Sequence, residues 1–291
     1  MNETSFFDIW KILTDFIKIH FKILALGFIF FSSLGITYSL SLNDIYKSEA
    51  LLIKSETSSL GMGGNSSLGD ILNLGSSSDR IELITKNVSL SRDFYLFFIN
   101  KRKIFPELLA TDSYNPKTKK IEYDESIYDS SEDKWIEQNP YENPLKYHNL
   151  FKKKFSILFT TKTKTASLNV FHESPYIAQA WAEWFIEDLN FFISSIEVEN
   201  SKDSFTYLQE KVNQTPIAEV RKQISNLLLY HVSKMEVSMN GKDYAYEVID
   251  SPSLAFEKHA PRRSTIVILF SFFGILLSLT YIFYFEFKKT K

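Results

Sequence analysis

The 291-residue chain has no cysteine, which removes disulfide frameworks, thiolate nucleophiles and Cys-containing zinc sites from consideration. Glycine is scarce, with nine residues, five of which fall within residues 57–79. That stretch contains no Gly-Lys-Ser/Thr, and Gly241-Lys242 continues with Asp243. The phosphate-cradling loop of an ATPase is therefore absent. The G-x-S-x-G elbow of serine hydrolases is missing too. The five histidines, His20, His148, His172, His231 and His259, lie far apart without the spacing of a metal site. Positive charge is not in excess: residues 44–263 carry 27 Lys and Arg against 31 Asp and Glu, a net charge of -4. Nucleic-acid binding, which rests on a basic face, gains no support. Carboxylates cluster at Glu122, Asp124, Glu125, Asp129, Glu132 and Asp133, but on a proline-punctuated stretch. Glycoside chemistry needs two carboxylates held at a set separation on a rigid frame, so this cluster reads as a solvated face. No catalytic, cofactor or metal residue is assigned.

What the chain does have is two long uncharged runs, 21 residues at 23–43 and 22 residues at 264–285. Each is long enough to cross a hydrocarbon core of about 30 Å as a helix of about 20 residues. Ser39 and Ser41 form a weak signal-peptidase pattern, but the run before them exceeds a cleavable h-region and reads as a retained anchor. Two spans enclosing 220 residues predict a hairpin-anchored protein with both ends on one side of the membrane. Near the spans, six Lys and Arg on the terminal side face five on the domain side. Three lysines precede the first span, which usually sets orientation, so the termini are expected in the cytoplasm. The expected organisation is a cytoplasmic segment at 1–22, a span at 23–43, a periplasmic domain at 44–263, a span at 264–285 and a tail at 286–291. Arg262 and Arg263 then stand outside, which a long translocated domain permits.

Between the spans, residues 46–56 read as a strand and residues 57–79 as a glycine-rich loop around a short apolar turn at 71–74. Ser78 or Asp79 can cap a helix carrying Ile81, Ile84, Val88 and Leu90. Residues 105–144, with Pro106, Pro116, Pro140 and Pro144, read as a surface excursion. Residues 155–172 are Thr-rich and β-branched around a Lys-Thr turn, the pattern of a hairpin. Ser174 and Pro175 open a helix of nearly forty residues bearing Ile177, Trp181, Phe185, Leu189, Phe192, Ile196, Phe205, Leu208 and Val212 at spacings of three and four. Thr215-Pro216 breaks it, a second helical stripe follows, Asn240-Gly241 turns the chain, and residues 243–250 alternate as a strand. Pairing the first and last strands closes the domain at its base. The fold class is α+β: two transmembrane helices flank a periplasmic domain with a membrane-proximal sheet and long projecting helices.

Two features suit interaction. Gly35-x-x-x-Ser39 in the first span and Gly274-x-x-x-Ser278 in the second are small-residue steps that let membrane helices approach closely, and similar depth from the outer edge predicts contact between Gly35 and Gly274. The long helix with Trp181, Trp184, Phe185, Phe205 and Leu208 outruns the domain, so its far end is expected to pack on a neighbour.

The chain resembles the chain-length determinant family, the Wzz-type polysaccharide co-polymerases of bacterial inner membranes. The residues that carry the resemblance are YKSEALLI after the first span, SLGDILNLG, IFPELL, ESPYIAQAWAEWFIEDLNFFI and FTYLQEKVNQTPIAEVRKQISNLLL. Most specific is YAYEVIDSPSLAFEKHAPRRSTIVI, a strand ending Val-Ile-Asp, then a proline-punctuated segment and a basic pair before the second span. Phe256 and Glu257 depart from the family's regularly spaced prolines. The resemblance implies a homo-oligomeric periplasmic ring, without catalytic residues, that sets the modal length of a glycan such as O-antigen. Its partners would be itself, a membrane polymerase, the lipid-linked glycan and the bilayer. It points to Pro252, Pro261, Arg262 and Arg263 at the membrane junction. The few residues after the second span predict no fused cytoplasmic kinase. An inner-membrane adaptor for capsule or exopolysaccharide export shares this architecture and is the alternative.

Overall fold

The computed structural model describes residues 6–55, 77–160, 162–239 and 243–289, in two compact units split at residues 45/46 and 257/258. The glycine-rich loop with its apolar turn and the Asn240-Gly241 turn lie outside the described residues.

The first unit is built from two long apolar helices, α1 (Phe6–Leu40) and α8 (Arg263–Lys289). Ile17–Leu40 and Arg263–Lys288 are long and apolar enough to cross a membrane, with mean hydropathies of 1.9 and 2.5. The helices do not coincide with the uncharged runs. α1 starts ahead of Lys11, Lys18 and Lys22, and it stops at Leu40 rather than Asn43. A helix continues through lysines because their stems cost little helix propensity.

The second unit is α+β. Its sheet has the order β6-β7-β1-β8, antiparallel throughout, formed by β1 (Tyr46–Lys54), β6 (Phe155–Thr160), β7 (Thr165–His172) and β8 (Tyr246–Asp250). The expected pairing of the first and last strands is present: Leu52 lies opposite Val248 and Lys54 opposite Tyr246, with a bulge at Leu51 and Leu52. The expected hairpin is β6–β7, closing at Thr160 and Thr165. Along β1, Tyr46, Ser48, Ala50 and Leu52 are buried while Glu49 and Ile53 are exposed, the two-residue period of a sheet covered on one face.

That face is covered by α2 (Ser77–Val88), α3 (Arg92–Arg102) and the first half of α6 (Pro175–Gln214). Phe155 stacks on both Trp181 and Phe185, with centroids 5.7 Å and 5.1 Å apart, and Phe94 and Phe98 from α3 meet Phe185 edge-on or tilted. Each large side chain so buried contributes about 1.5–3 kcal/mol, so the first half of α6 is firmly seated. Its second half is not: the last fully buried residue is Ser201. α6 also runs against α7 (Ala218–Met239), of which only Ser238 is buried, and Lys234 of α7 pairs with Glu197 just ahead of that point.

Two local expectations need correction, and a third is refined. α2 begins at Ser77, ahead of the expected caps, and ends before Leu90. Ser174 occupies the N-cap of α6, but its side chain makes no capping bond, and its N–H donates instead to His172 Nδ1. The 105–144 excursion lies largely at the surface as expected but carries secondary structure of its own. It holds α4 (Phe105–Leu109), the hairpins β2 (Thr111–Asn115) with β3 (Lys120–Tyr123) and β4 (Tyr128–Asp129) with β5 (Lys134–Trp135), and two 3-10 turns ahead of α5 (His148–Lys154). Phe105, Leu108, Ala110 and Tyr128 are buried. Two of its carboxylates build turns: Asp124 accepts from the Ser126 N–H, and Asp129 from Ser131 and Glu132.

Candidate functional site

The junction residues of the first unit are held by one carboxylate. Asp44 accepts from Arg263 Nη2 at 3.0 Å and from Lys258 Nζ at 2.5 Å. Beside it the chain entering and the chain leaving form a bridge: the Ile45 N–H donates to Ala260 O at 2.8 Å, and Ile45 O accepts from His259 N–H at 2.8 Å. Pro261 follows immediately through a cis Ala260–Pro261 bond. Arg262 gives its carbonyl to the Thr265 N–H at 3.0 Å, while its side chain is exposed. The two adjacent arginines therefore differ: Arg263 is tied to Asp44, and Arg262 is open.

The seam between α1 and α8 contains the small residues singled out by sequence, in a different register. Gly274 faces the Gly27 carbonyl and Phe31, whereas Gly35 faces Val267 and Phe270. The expected Gly35–Gly274 contact is thus replaced by two separate close approaches. Ser278 is buried against Gly27, Ser39 is also buried, and Ser32 bonds Ser271 at 2.7 Å. Gly27 was missed by the sequence reading, although Gly27, Phe31, Gly35 and Ser39 recur every four residues and so share one face.

In the second unit Pro252 is buried, and its carbonyl accepts from Gln179 Nε2 at 3.2 Å. It borders a cavity of about 720 Å³ between α6, the end of α7 and β8. Asn190 forms part of its wall, and its carboxamide behaves like a short piece of strand. Its Oδ1 accepts from the Ala245 and Tyr246 N–H groups, and its Nδ2 donates to the Tyr246 carbonyl, all at 2.9 Å. Nothing in the sequence marked Asn190, because an asparagine inside a helix has no local signature for a partner 55 residues away.

No family model matches the chain, and no curated protein matches it. Among solved structures, it is similar to a full-length bacterial polysaccharide co-polymerase at 11% identity and a TM-score of 0.40, over 92% of this chain and 94% of that one. It is also similar to a fragment of WzzB, the polysaccharide co-polymerase from Salmonella Typhimurium, at 13% identity and a TM-score of 0.32, over 75% of this chain and 100% of that one. The structural match to Wzz-type co-polymerases spans most of the chain at low sequence identity.

The remaining residues singled out by sequence divide between core and surface. Trp181 and Phe185 are fully buried in the core, and Trp184 packs at its edge against the Arg102 guanidinium, 5.4 Å from the ring. Phe205 and Leu208, in the second half of α6, are half-buried. Among the described residues no group of three or more His, Asp or Glu side chains is placed to hold a metal. His148 instead bonds Leu90 O at 3.0 Å.

His172 is fully buried, with Nε2 on the Glu107 carbonyl at 3.0 Å and Nδ1 accepting from the Ser174 N–H at 2.9 Å. Burial pushes its pKa down to about 4; the neighbouring Glu173 carboxylate opposes this and Lys154 reinforces it. The unfolded chain takes up a proton near pH 6.5, whereas the folded chain resists until about pH 4. Stability from His172 is thus fully present above pH 6.5 and is lost as pH falls through that window. Thermal unfolding of the detergent-solubilised chain should show an acid loss that is smaller in His172→Gln. Parallel curves for the two proteins between pH 6.5 and 4 would remove His172 as the cause.

Proposed function

We propose that this chain is a non-enzymatic regulator of polysaccharide chain length, acting as a homo-oligomeric scaffold in the bacterial inner membrane for a polymerase or its growing lipid-linked glycan. The observation that carries this reading is the unpartnered end of the α6–α7 pair. Tyr207, Val220, Leu229 and Val232 on the helices and Ile217 in the link between them are exposed there by 41–66%, where the domain core does not cover them. Apolar residues repeated along so long a projection favour a protein partner. Two terminal helices fit to cross a membrane supply the anchor, with the termini in the cytoplasm and residues 44–263 in the periplasm. Under this topology Asp44 offsets part of the positive charge that Arg263 and Lys258 place outside. Arg262 is the arginine left to meet lipid headgroups or a partner.

Electrophoresis of surface polysaccharide from a strain lacking the protein tests the function. Length control predicts a ladder that persists without its modal band, restored by the intact chain. An absent ladder would instead support the export adaptor. An unchanged ladder would sink both readings.

A further inference from the structure

The sheet of residues 46–257 has two edges, β6 and β8, and among the described residues neither is paired on its outer side. Long open edges are templates for strand addition and are normally blunted. Here the two edges match each other. β8 has five residues and β6 has six. The sheet is antiparallel with four strands, so its two edge strands run in opposite directions. Placing copies side by side by rotation about an axis along the strands brings β8 of one against β6 of the next in antiparallel sense. That is the pairing used throughout the sheet.

The backbone geometry identifies where β8 is open. Asn190 takes the N–H and C=O of Tyr246, so these groups point away from β1. Strand alternation then turns the N–H and C=O of Val248 the same way. Val248 is 40% exposed and lines the 720 Å³ cavity. Its outward groups have room for a strand where the Asn190 carboxamide stops.

Charge complements the match. Glu183, Glu247 and Asp250 are exposed beside β8, whereas Lys152, Lys153, Lys162 and Lys164 are exposed at the two ends of β6. Like edges repel, which disfavours β6 on β6 and β8 on β8. Unlike edges attract, and the contact is therefore head-to-tail, of the kind that closes rings when the rotation closes.

We infer that β8 of one copy accepts β6 of a second copy as an antiparallel neighbour, continuing the sheet from protomer to protomer. This rests on the homo-oligomeric reading above and assigns it an interface outside the α6–α7 pair.

The chain lacks cysteine, so single cysteines report cleanly. Two differently tagged full-length copies are co-expressed in membranes, one with Val248→Cys and the other with a cysteine at one position from Ser156 to Thr160, and then oxidised. The expected result is a covalent dimer only in the mixed samples, strongest at one position of β6, the residue opposite Val248, and falling off at positions on either side of it. Cross-linking of Val248→Cys with itself would overturn the inference. So would the absence of a mixed product while the extracted protein still sediments as an oligomer, a result that leaves the function reading intact. A monomer without cross-links would remove both.

Discussion

Replacing Arg102 by alanine is expected to cost about 3–5 kcal/mol of folding stability, because it leaves a buried carboxylate without its main partner. Asp188 lies in the buried half of α6 with its side chain wholly inaccessible to solvent. Arg102 reaches it from the end of α3 with two bonds, Nε to Oδ2 and Nη2 to Oδ1, each 2.7 Å, and its Nη2 also meets Glu187 at 2.7 Å. The fork fixes direction as well as charge, and Asp188 and Glu187 push the already high guanidinium pKa higher. Lys101 Nζ adds one bond at 2.6 Å, but as a point charge whose side chain is 38% exposed. It cannot replace the fork.

Domains of this size are stable by about 5–15 kcal/mol, so Arg102→Ala should bring the chain close to unfolding. The paired substitution Arg102→Met with Asp188→Leu is expected to be far milder, since an apolar pair replaces both charges together. Chemical unfolding followed by tryptophan fluorescence compares the three proteins, with Trp181 and Trp184 reporting from the same helix. A cost below about 1 kcal/mol for Arg102→Ala, the size of a surface pair, would mean that Asp188 is not isolated from water.

That pair also marks the limit of what was legible in the sequence. Arg102 and Asp188 are 86 residues apart, and no local pattern distinguishes a buried carboxylate from the exposed ones around it. Patterns confined to one element were legible: the period of two along β1, the hairpin at 155–172 and the run of α6 up to its Thr215-Pro216 break. The 105–144 excursion lies at the surface as its proline and carboxylate density signals, but its hairpins were not legible. Its order comes from Asp124 and Asp129 bonding their own turns and from Phe105 and Tyr128 turning inward. At the junction, the adjacent arginines look equivalent in sequence. Only the fold brings Asp44 to one of them.

The seam between the helices shows how a correct motif can carry a wrong register. Depth counted from the ends of the uncharged runs sets Gly35 at a depth similar to that of Gly274, but residues 41–43 are not helical and that match is lost. In the observed pairing a Cβ on Gly274 would sit 2.7 Å from the Gly27 carbonyl oxygen and 2.8 Å from Phe31 Cβ. Neither is the end of a flexible side chain, so the backbones must separate. Overpacking of this kind costs about 1–3 kcal/mol, and at 1.4 kcal/mol per factor of ten the association of the helices should weaken by roughly 5–150-fold. Gly274→Leu is therefore expected to undo the seam, and Gly35→Leu, facing Phe270 Cβ at 2.9 Å, to disturb it closer to the junction. The Ser32–Ser271 contact supplies the probe, because its oxygens lie 2.7 Å apart. With cysteine at both positions, oxidation in native membranes should join α1 to α8 within one chain, detected after cleavage between them. Gly274→Leu should abolish that link, whereas leucine at Phe272, which is 65% exposed and points away from the seam, should leave it intact. Equal linkage in all three backgrounds would mean that the two helices do not meet through their glycines.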